Sequence, residues 1–248
     1  MAFFLDSLGL SELSKNQNDI IELFNNVNKI SGEDYDYKTY TYDEGLELVA
    51  RINRDSKDYD FVGVDSHFIN SNKYICKPVI SLGQTAEIPA VLFSSLDEKT
   101  AFLVNLVHAG LVKGEMNENS IVSLQLCAYP SSLEVYENRE SYESAVNDAV
   151  LRDKSVLPYY YIKSLEKDLT EEEKNRFLDN ILFNLIAAKV IETKEYKFGE
   201  NPCFISTLDT DLGNLDIIYS KNIISNPLTK DAYVVGAFYL SAEFSLTN

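Results

Sequence analysis

Asp65 and His67 are the residues whose types and spacing come closest to a catalytic pair. They lie in residues 60–69, a run rich in β-forming residues, and alternate residues of a strand point to the same face of a sheet. A carboxylate beside an imidazole can move protons or contribute to a metal site. Two neighbouring ligands are too few for zinc or iron, so we predict no metal site. The competing interpretation of His67 is a solvated histidine at a strand end.

His108 is the other histidine of the chain. It is predicted near the end of a helix, where a protonated imidazole would favour the negative end of the helix dipole. With Asp65 and His67, it is a candidate acid–base group for a hydrolase-type enzyme whose active site lies in a cleft between two domains. The chain holds 39 acidic residues, so its sequence does not single out the carboxylates that would assist them.

Cys76, Cys127 and Cys203 are too far apart in sequence for a zinc knuckle or a redox motif. Their odd number indicates reduced thiols in a cytosol. Cys127 and Cys203 also lie in strand-like runs, which makes a structural role the better interpretation than a Cys–His nucleophile.

The sequence does not match the motifs that bind calcium or phosphate. Residues 209–220 carry several acids, but Gly213, Asn214 and Ser220 stand where a calcium loop needs Asp or Asn, Gly and Glu. No glycine cluster of the spacing that binds phosphate precedes a predicted helix. We therefore predict no cofactor.

The formal charge of −17 is spread along the chain. A negative surface repels phosphate backbones, so direct binding of nucleic acid is not expected. Residues 1–6 lack the basic region of a signal peptide, and no run approaches the length of a membrane span, so we predict a cytoplasmic protein without membrane association. The acidity can serve solubility, dock the protein on a basic partner or imitate nucleic acid.

Tyrosines are concentrated in two predicted strands and could supply rigid contact area for a partner. The alternative is that these amphipathic rings cover the edges of a sheet and keep their hydroxyl groups in water. The candidate binding residues are Tyr37, Tyr40, Tyr42, Tyr233 and Tyr239.

Apolar periodicity predicts a mixed N-terminal part. Ser95 and Glu98 have the spacing of a capping box, which predicts a helix that ends near Gly110. Further helices are predicted at residues 14–27 and 137–150. Strands are predicted at residues 35–42, 46–52, 60–69, 74–82 and 121–129, which we expect to form one antiparallel sheet.

The C-terminal part has a different pattern. A second capping box, from Thr170 to Glu173, predicts a helix that continues through Leu185. Beyond it, short β-rich runs alternate with turns that contain Gly, Asn and Pro. Gly236 is expected to mark a bend that divides the last run into two strands. The predicted strands cover residues 187–193, 203–208, 215–219 and 233–246.

The sequence therefore predicts an α+β fold with an N-terminal mixed antiparallel sheet and helices, followed by a small C-terminal β-barrel that looks OB- or SH3-like. The predicted boundaries are residues 1–160 for the α+β domain, 161–185 for a linking helix and 186–248 for the barrel.

Three segments resemble an uncharacterised family of acidic bacterial proteins of similar size. They are residues 4–10 (FLDSLGL), residues 49–52 (VARI) with 61–64 (FVGV), and the glycine-containing final strands. The resemblance implies a bacterial protein and brings no catalytic residues.

These observations favour a non-enzymatic interaction or regulatory module whose acidic surface would steer a basic protein partner. The alternatives are a hydrolase-type enzyme with an interdomain cleft and an acidic mimic of nucleic acid.

Overall fold

The computed structural model describes residues 4–10, 13, 17–32, 35–43, 45–54, 60–69, 71–81, 90–108, 111, 120–146, 155–159 and 183–246. Strands account for 63% of the described residues and helices for 11%. The α+β fold class predicted from the sequence is therefore wrong, because the described chain is mostly β. Its helices are α1 (Phe4–Ser7), α2 (Gln17–Phe24) and α3 (Arg139–Ala145). Its strands are β1 (Lys29–Ser31), β2 (Tyr35–Thr41), β3 (Leu46–Asn53), β4 (Phe61–Phe68), β5 (Lys73–Ser81), β6 (Ala90–Ser95), β7 (Ala101–Leu106), β8 (Val122–Tyr136), β9 (Val156–Pro158), β10 (Phe183–Phe198), β11 (Asn201–Thr210), β12 (Gly213–Ser220) and β13 (Tyr233–Leu246).

The strands form two sheets. β1 to β4 form an antiparallel sheet in chain order, and the other nine form a mixed sheet in the order β11-β12-β8-β5-β6-β7-β13-β10-β9, with further pairings of β11 with β10 and of β8 with β13. The single antiparallel sheet predicted for residues 35–129 is wrong, because β5 and β8 pair with each other in the nine-stranded sheet. Side-chain alternation defines the two faces of a strand but does not name its neighbours.

The pairings of β5–β8 are repeated in β10–β13. In each set, the first three strands form an antiparallel meander, and the first strand also pairs antiparallel with the fourth. The third strand of each set pairs parallel with the fourth strand of the other set, and the two fourth strands pair with each other. We call β5–β8 the first unit and β10–β13 the second unit. Each unit completes a ring of five hydrogen-bonded strands by including the long last strand of the other unit.

The residue registers follow the same symmetry. The two long strands β8 and β13 run antiparallel, and Cys127 pairs with Ser241 at the centre of the pattern. Each residue pair between the first and fourth strands of the first unit has an equivalent pair between the first and fourth strands of the second unit. Equivalent pairs are Lys73–Gln125 with Phe183–Tyr239, and Cys76–Val122 with Ile186–Gly236.

Gly236 lies where β8 and β13 approach each other closely. A Cβ atom at this position would lie 2.0 Å from the backbone oxygen of Ser132, so only glycine fits. The register of β13 against β8 shifts between Ala237 and Phe238, which is a β-bulge. The expected division of this run into two strands is wrong, because Tyr233–Leu246 is one strand with a bulge.

Two large apolar cores stabilise the arrangement. The inner core is made of residues from both units and includes Val122, Leu124, Leu126 and Ala128, the face of β8 that alternation predicted. The outer core lies between both units, the four-stranded sheet, α1 and α2, and it contains Tyr129 of β8. It includes Leu8, Phe24, Leu48, Cys203 and Tyr239.

The helix predicted to begin at Ser95 is wrong, because this segment is the hairpin β6–β7. The Ser95 hydroxyl donates to Asp97 and accepts from the backbone N–H of Thr100, so it closes a turn rather than a helix end. Glu98 has a left-handed backbone with φ of 59°. Serine and aspartate stabilise both kinds of structure, which makes the capping-box spacing ambiguous.

The other helix predictions have mixed outcomes. Helices within residues 14–27 and 137–150 are confirmed as α2 and α3, both shorter than predicted. Most of the predicted linking helix at 161–185 lies outside the described residues, and its last residues, 183–185, belong to a strand. Residues 186–248 do not form a separate barrel, because β12 and β13 pair with β8. The domain boundaries at residues 160 and 185 stay predictions.

No helix in the described part of the chain is long and apolar enough to span a membrane.

Candidate functional site

Asp65 is buried in the middle of β4 and forms an ion pair with Arg51 of β3. The distance from Arg51 Nε to Asp65 Oδ2 is 3.0 Å, and both side chains are almost fully buried. Asp65 Oδ1 also accepts hydrogen bonds from Asn105 at 3.1 Å and from the Tyr239 hydroxyl at 3.5 Å. Burial raises the pKa of Asp65 and outweighs the opposing effect of Arg51. We call Arg51, Asp65, Asn105 and Tyr239 the Asp65 cluster.

Gly63 gives the Arg51 side chain room to lie flat against β4. A Cβ atom at position 63 would lie 2.7 Å from Nη2 of Arg51, which pairs with Gly63 across the two strands. The glycine therefore allows the guanidinium group to reach Asp65 without displacement.

His67 is buried beside the cluster, opposite Glu47 of β3. Neither of its ring nitrogens forms a hydrogen bond of good geometry with a described residue, although the Gln125 side chain lies near enough to favour the charged imidazole. Burial lowers the pKa of His67 to about 4, so the imidazole is neutral at pH 7. His67 is therefore a buried histidine and not a solvated histidine at a strand end.

His108 follows β7 and packs against one face of the four-stranded sheet. Its Nε2 lies 3.2 Å from the Thr39 hydroxyl, and its Nδ1 lies 3.8 Å from Oε1 of Glu243. The ring also contacts Tyr37 edge-on, with 5.9 Å between ring centroids. Burial lowers the pKa of His108, although Glu243 acts in the opposite direction.

The structure brings the three candidate acid–base residues, Asp65, His67 and His108, into one region. A charge on His108 affects the pKa of His67, and the Asp65 charge affects that of His108. Sequence reasoning missed Thr39 and Glu243, whose ordinary residue types give no signal. Arg51 offered a signal, because a charged residue in an apolar strand is rarely buried without a partner.

Thr39, His108 and Glu243 have the hydroxyl–imidazole–carboxylate order of an activated nucleophile. The 3.8 Å between His108 and Glu243 exceeds a hydrogen bond, so the carboxylate does not hold the ring in one orientation. Asp65 and His67 are too deeply buried to touch a substrate in this conformation. Among the described residues, no three His, Cys, Asp or Glu side chains are grouped so that they could hold a metal ion.

The predicted binding tyrosines have different environments. Tyr37 and Tyr239 are 1% and 2% exposed, so neither presents its ring to a partner. Tyr40 and Tyr42 are partly buried and contact each other edge-on, with 5.0 Å between ring centroids. Burial raises the pKa of Tyr42 to about 12. Tyr233 is partly exposed.

Tyr233 lines a groove of about 820 Å³ on the second unit. Four acidic and two basic side chains also line this groove, so its carboxylates outnumber its cations. We call it the Tyr233 groove. Its lining residues are Asn138, Arg139, Glu140, Ser155, Ala187, Lys189, Asp209, Thr210, Asp211, Asp231 and Tyr233.

All three cysteines are free and buried. Burial raises the pKa of Cys76, Cys127 and Cys203 to about 12 in each case. Their thiols are therefore protonated at neutral pH, which makes them poor nucleophiles.

Comparison with protein-family models and with curated proteins gives no match. The resemblance to acidic bacterial proteins stays a prediction.

Proposed function

We propose that this protein is a non-enzymatic interaction module of the bacterial cytoplasm, and that it binds a basic segment of a partner protein in the Tyr233 groove. The observation that carries the proposal is the position of Tyr233, a predicted contact residue, in a groove where carboxylates outnumber cations. An acidic groove attracts lysine and arginine side chains, and an aromatic ring offers them a cation–π contact.

The charges of the groove support a basic ligand. Its two cations already have partners, because Lys189 pairs with Asp231 at 2.5 Å and Arg139 with Glu143 at 2.6 Å. Asp209 is exposed and has no ion pair among the described residues. The net field that a ligand meets in the groove is therefore negative.

The ring of Tyr233 is held in a fixed position. It stacks on Tyr142 with 4.9 Å between centroids, and its hydroxyl donates to the backbone oxygen of Ala187 at 3.2 Å. A contact residue that is already ordered loses little side-chain entropy when a partner binds.

The test is affinity capture of the tagged protein from a lysate of its own host at low and high salt, with quantitative mass spectrometry. Asp209→Lys should reduce recovery of a basic, salt-sensitive partner at least about tenfold, since it reverses one charge in the groove. Glu200→Lys, in the exposed turn between β10 and β11, makes the same charge change outside the groove and should leave recovery unchanged. Equal recovery with both variants would refute the groove as the binding site.

A second candidate function rests on His108. Its position between Thr39 and Glu243 favours an esterase-like hydrolase, in which His108 takes the proton of an attacking hydroxyl group. Turnover of 4-nitrophenyl acetate should then fall at least about a hundredfold in both His108→Gln and Thr39→Val. Activity that is absent from the wild-type protein, or equal in these variants, would exclude this candidate.

A further inference from the structure

The first unit exposes apolar side chains on the outer face of its sheet. Ile75 of β5 is 45% exposed, and Ile121, just before β8, is 43% exposed. Lys73 and Lys77 lie on the same face of β5 as Ile75, because they alternate with its inward-facing residues. The result is a small apolar patch beside two positive charges on a strongly acidic protein. We call it the Ile75 patch.

The internal symmetry relates this patch to a covered surface of the second unit. Because the pair Cys76–Val122 is equivalent to Ile186–Gly236, the residues before each member are equivalent as well. Ile75 therefore corresponds to Leu185, and Ile121 corresponds to Val235.

In the second unit, helix α3 covers these equivalent positions. Tyr142 of α3 is 1% exposed and packs in one apolar cluster with Leu185, Ala187 and Val235. The helix is amphipathic, because this tyrosine faces the sheet while Glu140 and Ser144 face solvent. The second unit thus shows what kind of element this outer face of the sheet accepts.

We propose that the Ile75 patch is a docking surface for an acidic amphipathic helix of a partner protein, anchored by one aromatic side chain. The aromatic ring packs on Ile75 and Ile121, as Tyr142 packs on Leu185 and Val235. Carboxylates of the helix face Lys73 and Lys77. Lys77 can turn to a new partner, since its pairing with Glu98 spans 3.8 Å between exposed side chains.

This surface adjoins the Tyr233 groove, because Asp211 lines both the groove and a cavity that Lys73 and Ile75 line. The ligands proposed for the two surfaces have opposite charges and do not repel each other. A basic segment in the groove and an acidic helix on the patch could therefore bind at the same time. Asp209→Lys tests the groove, whereas Ile75→Glu/Ile121→Glu tests the patch.

The test uses a fluorescein-labelled peptide with the sequence of residues 137–146, held helical by a lactam bridge on its solvent-exposed face. Fluorescence anisotropy with the full chain should show saturable binding that weakens as salt is added. The double variant Ile75→Glu/Ile121→Glu should weaken binding at least about tenfold, since it places charges where the aromatic anchor packs. Replacement of the peptide tyrosine by alanine should have a similar effect.

Ile30→Glu is the matched control, because Ile30 is 50% exposed on β1 and lies outside the patch. Its binding curve should coincide with that of the wild type. All these positions are exposed, so the variants should keep the wild-type melting temperature. A peptide that shows no saturable binding, or that binds Ile75→Glu/Ile121→Glu as well as the wild type, would overturn the proposal.

Discussion

The first and second units have the same strand pairings but different outer surfaces. Both contribute the same pattern of inner residues, as shown by Leu126 and Leu240, which are buried at equivalent positions of β8 and β13. Outside, the four-stranded sheet and α1 pack on both units, through Asn105 and Tyr129 of the first and Tyr239 of the second. The difference is that α3 covers the second unit at Leu185 and Val235, whereas the first unit exposes Ile75 at the equivalent position. Strand pairing and inner packing therefore define the repeated unit, while each outer face is free to acquire its own covering.

The largest effect is expected where the four-stranded sheet meets both units, at the Asp65 cluster, which includes Asn105 of β7 and Tyr239 of β13. Asp65→Ala should lower the free energy of unfolding by about 4 kcal/mol, because it leaves Arg51 buried without its partner. Urea unfolding measures the change. The double variant Arg51→Met/Asp65→Leu should recover most of the loss, since it removes both charges. A loss below about 1 kcal/mol in Asp65→Ala would show that the ion pair is solvated.

A direct comparison of the units uses their inner core. Leu126→Ala and Leu240→Ala should each lower the free energy of unfolding by about 3 kcal/mol, because both remove a fully buried side chain at equivalent positions. Chemical denaturation should show a single transition in both variants, since the units share β8 and β13. Two separate transitions would mean that the units unfold independently, which contradicts the shared rings.

The pH dependence of stability should report on the four-stranded sheet, which packs on both units and has no counterpart on the outer face that carries Ile75. The pKa of His67 is about 4 in the folded state and about 6.5 in the unfolded state, so the unfolded chain binds more protons between these values. The buried neutral imidazole therefore costs no stability above the unfolded pKa, and the free energy of unfolding falls as the pH drops toward the folded pKa. Between about pH 6.5 and about pH 4.5, His67→Leu should lose about 2 kcal/mol less stability than the wild type.

Urea unfolding of both proteins across this pH range measures the difference. At pH 7, His67→Leu should be about as stable as the wild type, because the ring has no well-formed hydrogen bond to lose among the described residues and only the Gln125 side chain nearby. Parallel pH profiles for the two proteins would contradict the burial of a neutral imidazole.

The smallest effect is expected on the uncovered face of the first unit. Ile75→Ala should change the free energy of unfolding by less than about 0.5 kcal/mol, because nearly half of the side chain is exposed. The corresponding change under α3, Tyr142→Ala, should cost about 3 kcal/mol. Thermal unfolding compares the two. Similar losses would show that the outer faces of the units are equally covered.

The sequence predicted most strands but not their arrangement. Alternation in β8 correctly separated Val122 and Leu124 from Ser123, because successive side chains of a strand point to opposite faces and only one face is buried here. It could not show that β8 pairs with β13, since a register between strands so far apart in the sequence leaves no local pattern. The helix predicted at Ser95 is wrong because residues 102–106 form a strand that is buried on both faces. Such a strand has no alternation of buried and exposed residues that would identify it in the sequence.

The candidate site was predictable only in part. Asp65 and His67 were recognised from their types, but their burial depends on tertiary packing against Asn105 and Tyr239. Equally, no local pattern places Glu243, near the end of the described chain, beside His108. Tyr233 was recognised as a contact residue, whereas the acids that surround it come from three separate segments.

The exchange of last strands between the units restricts the order in which this protein can form during synthesis. The third strand of the first unit, β7, finds its outer neighbour only when Asn105 pairs with Ser241 and Leu106 with Ala242. A growing chain that has passed β8 therefore has an open sheet edge at β7 until residues 241–242 leave the ribosome. The first unit is begun early in translation and finished last.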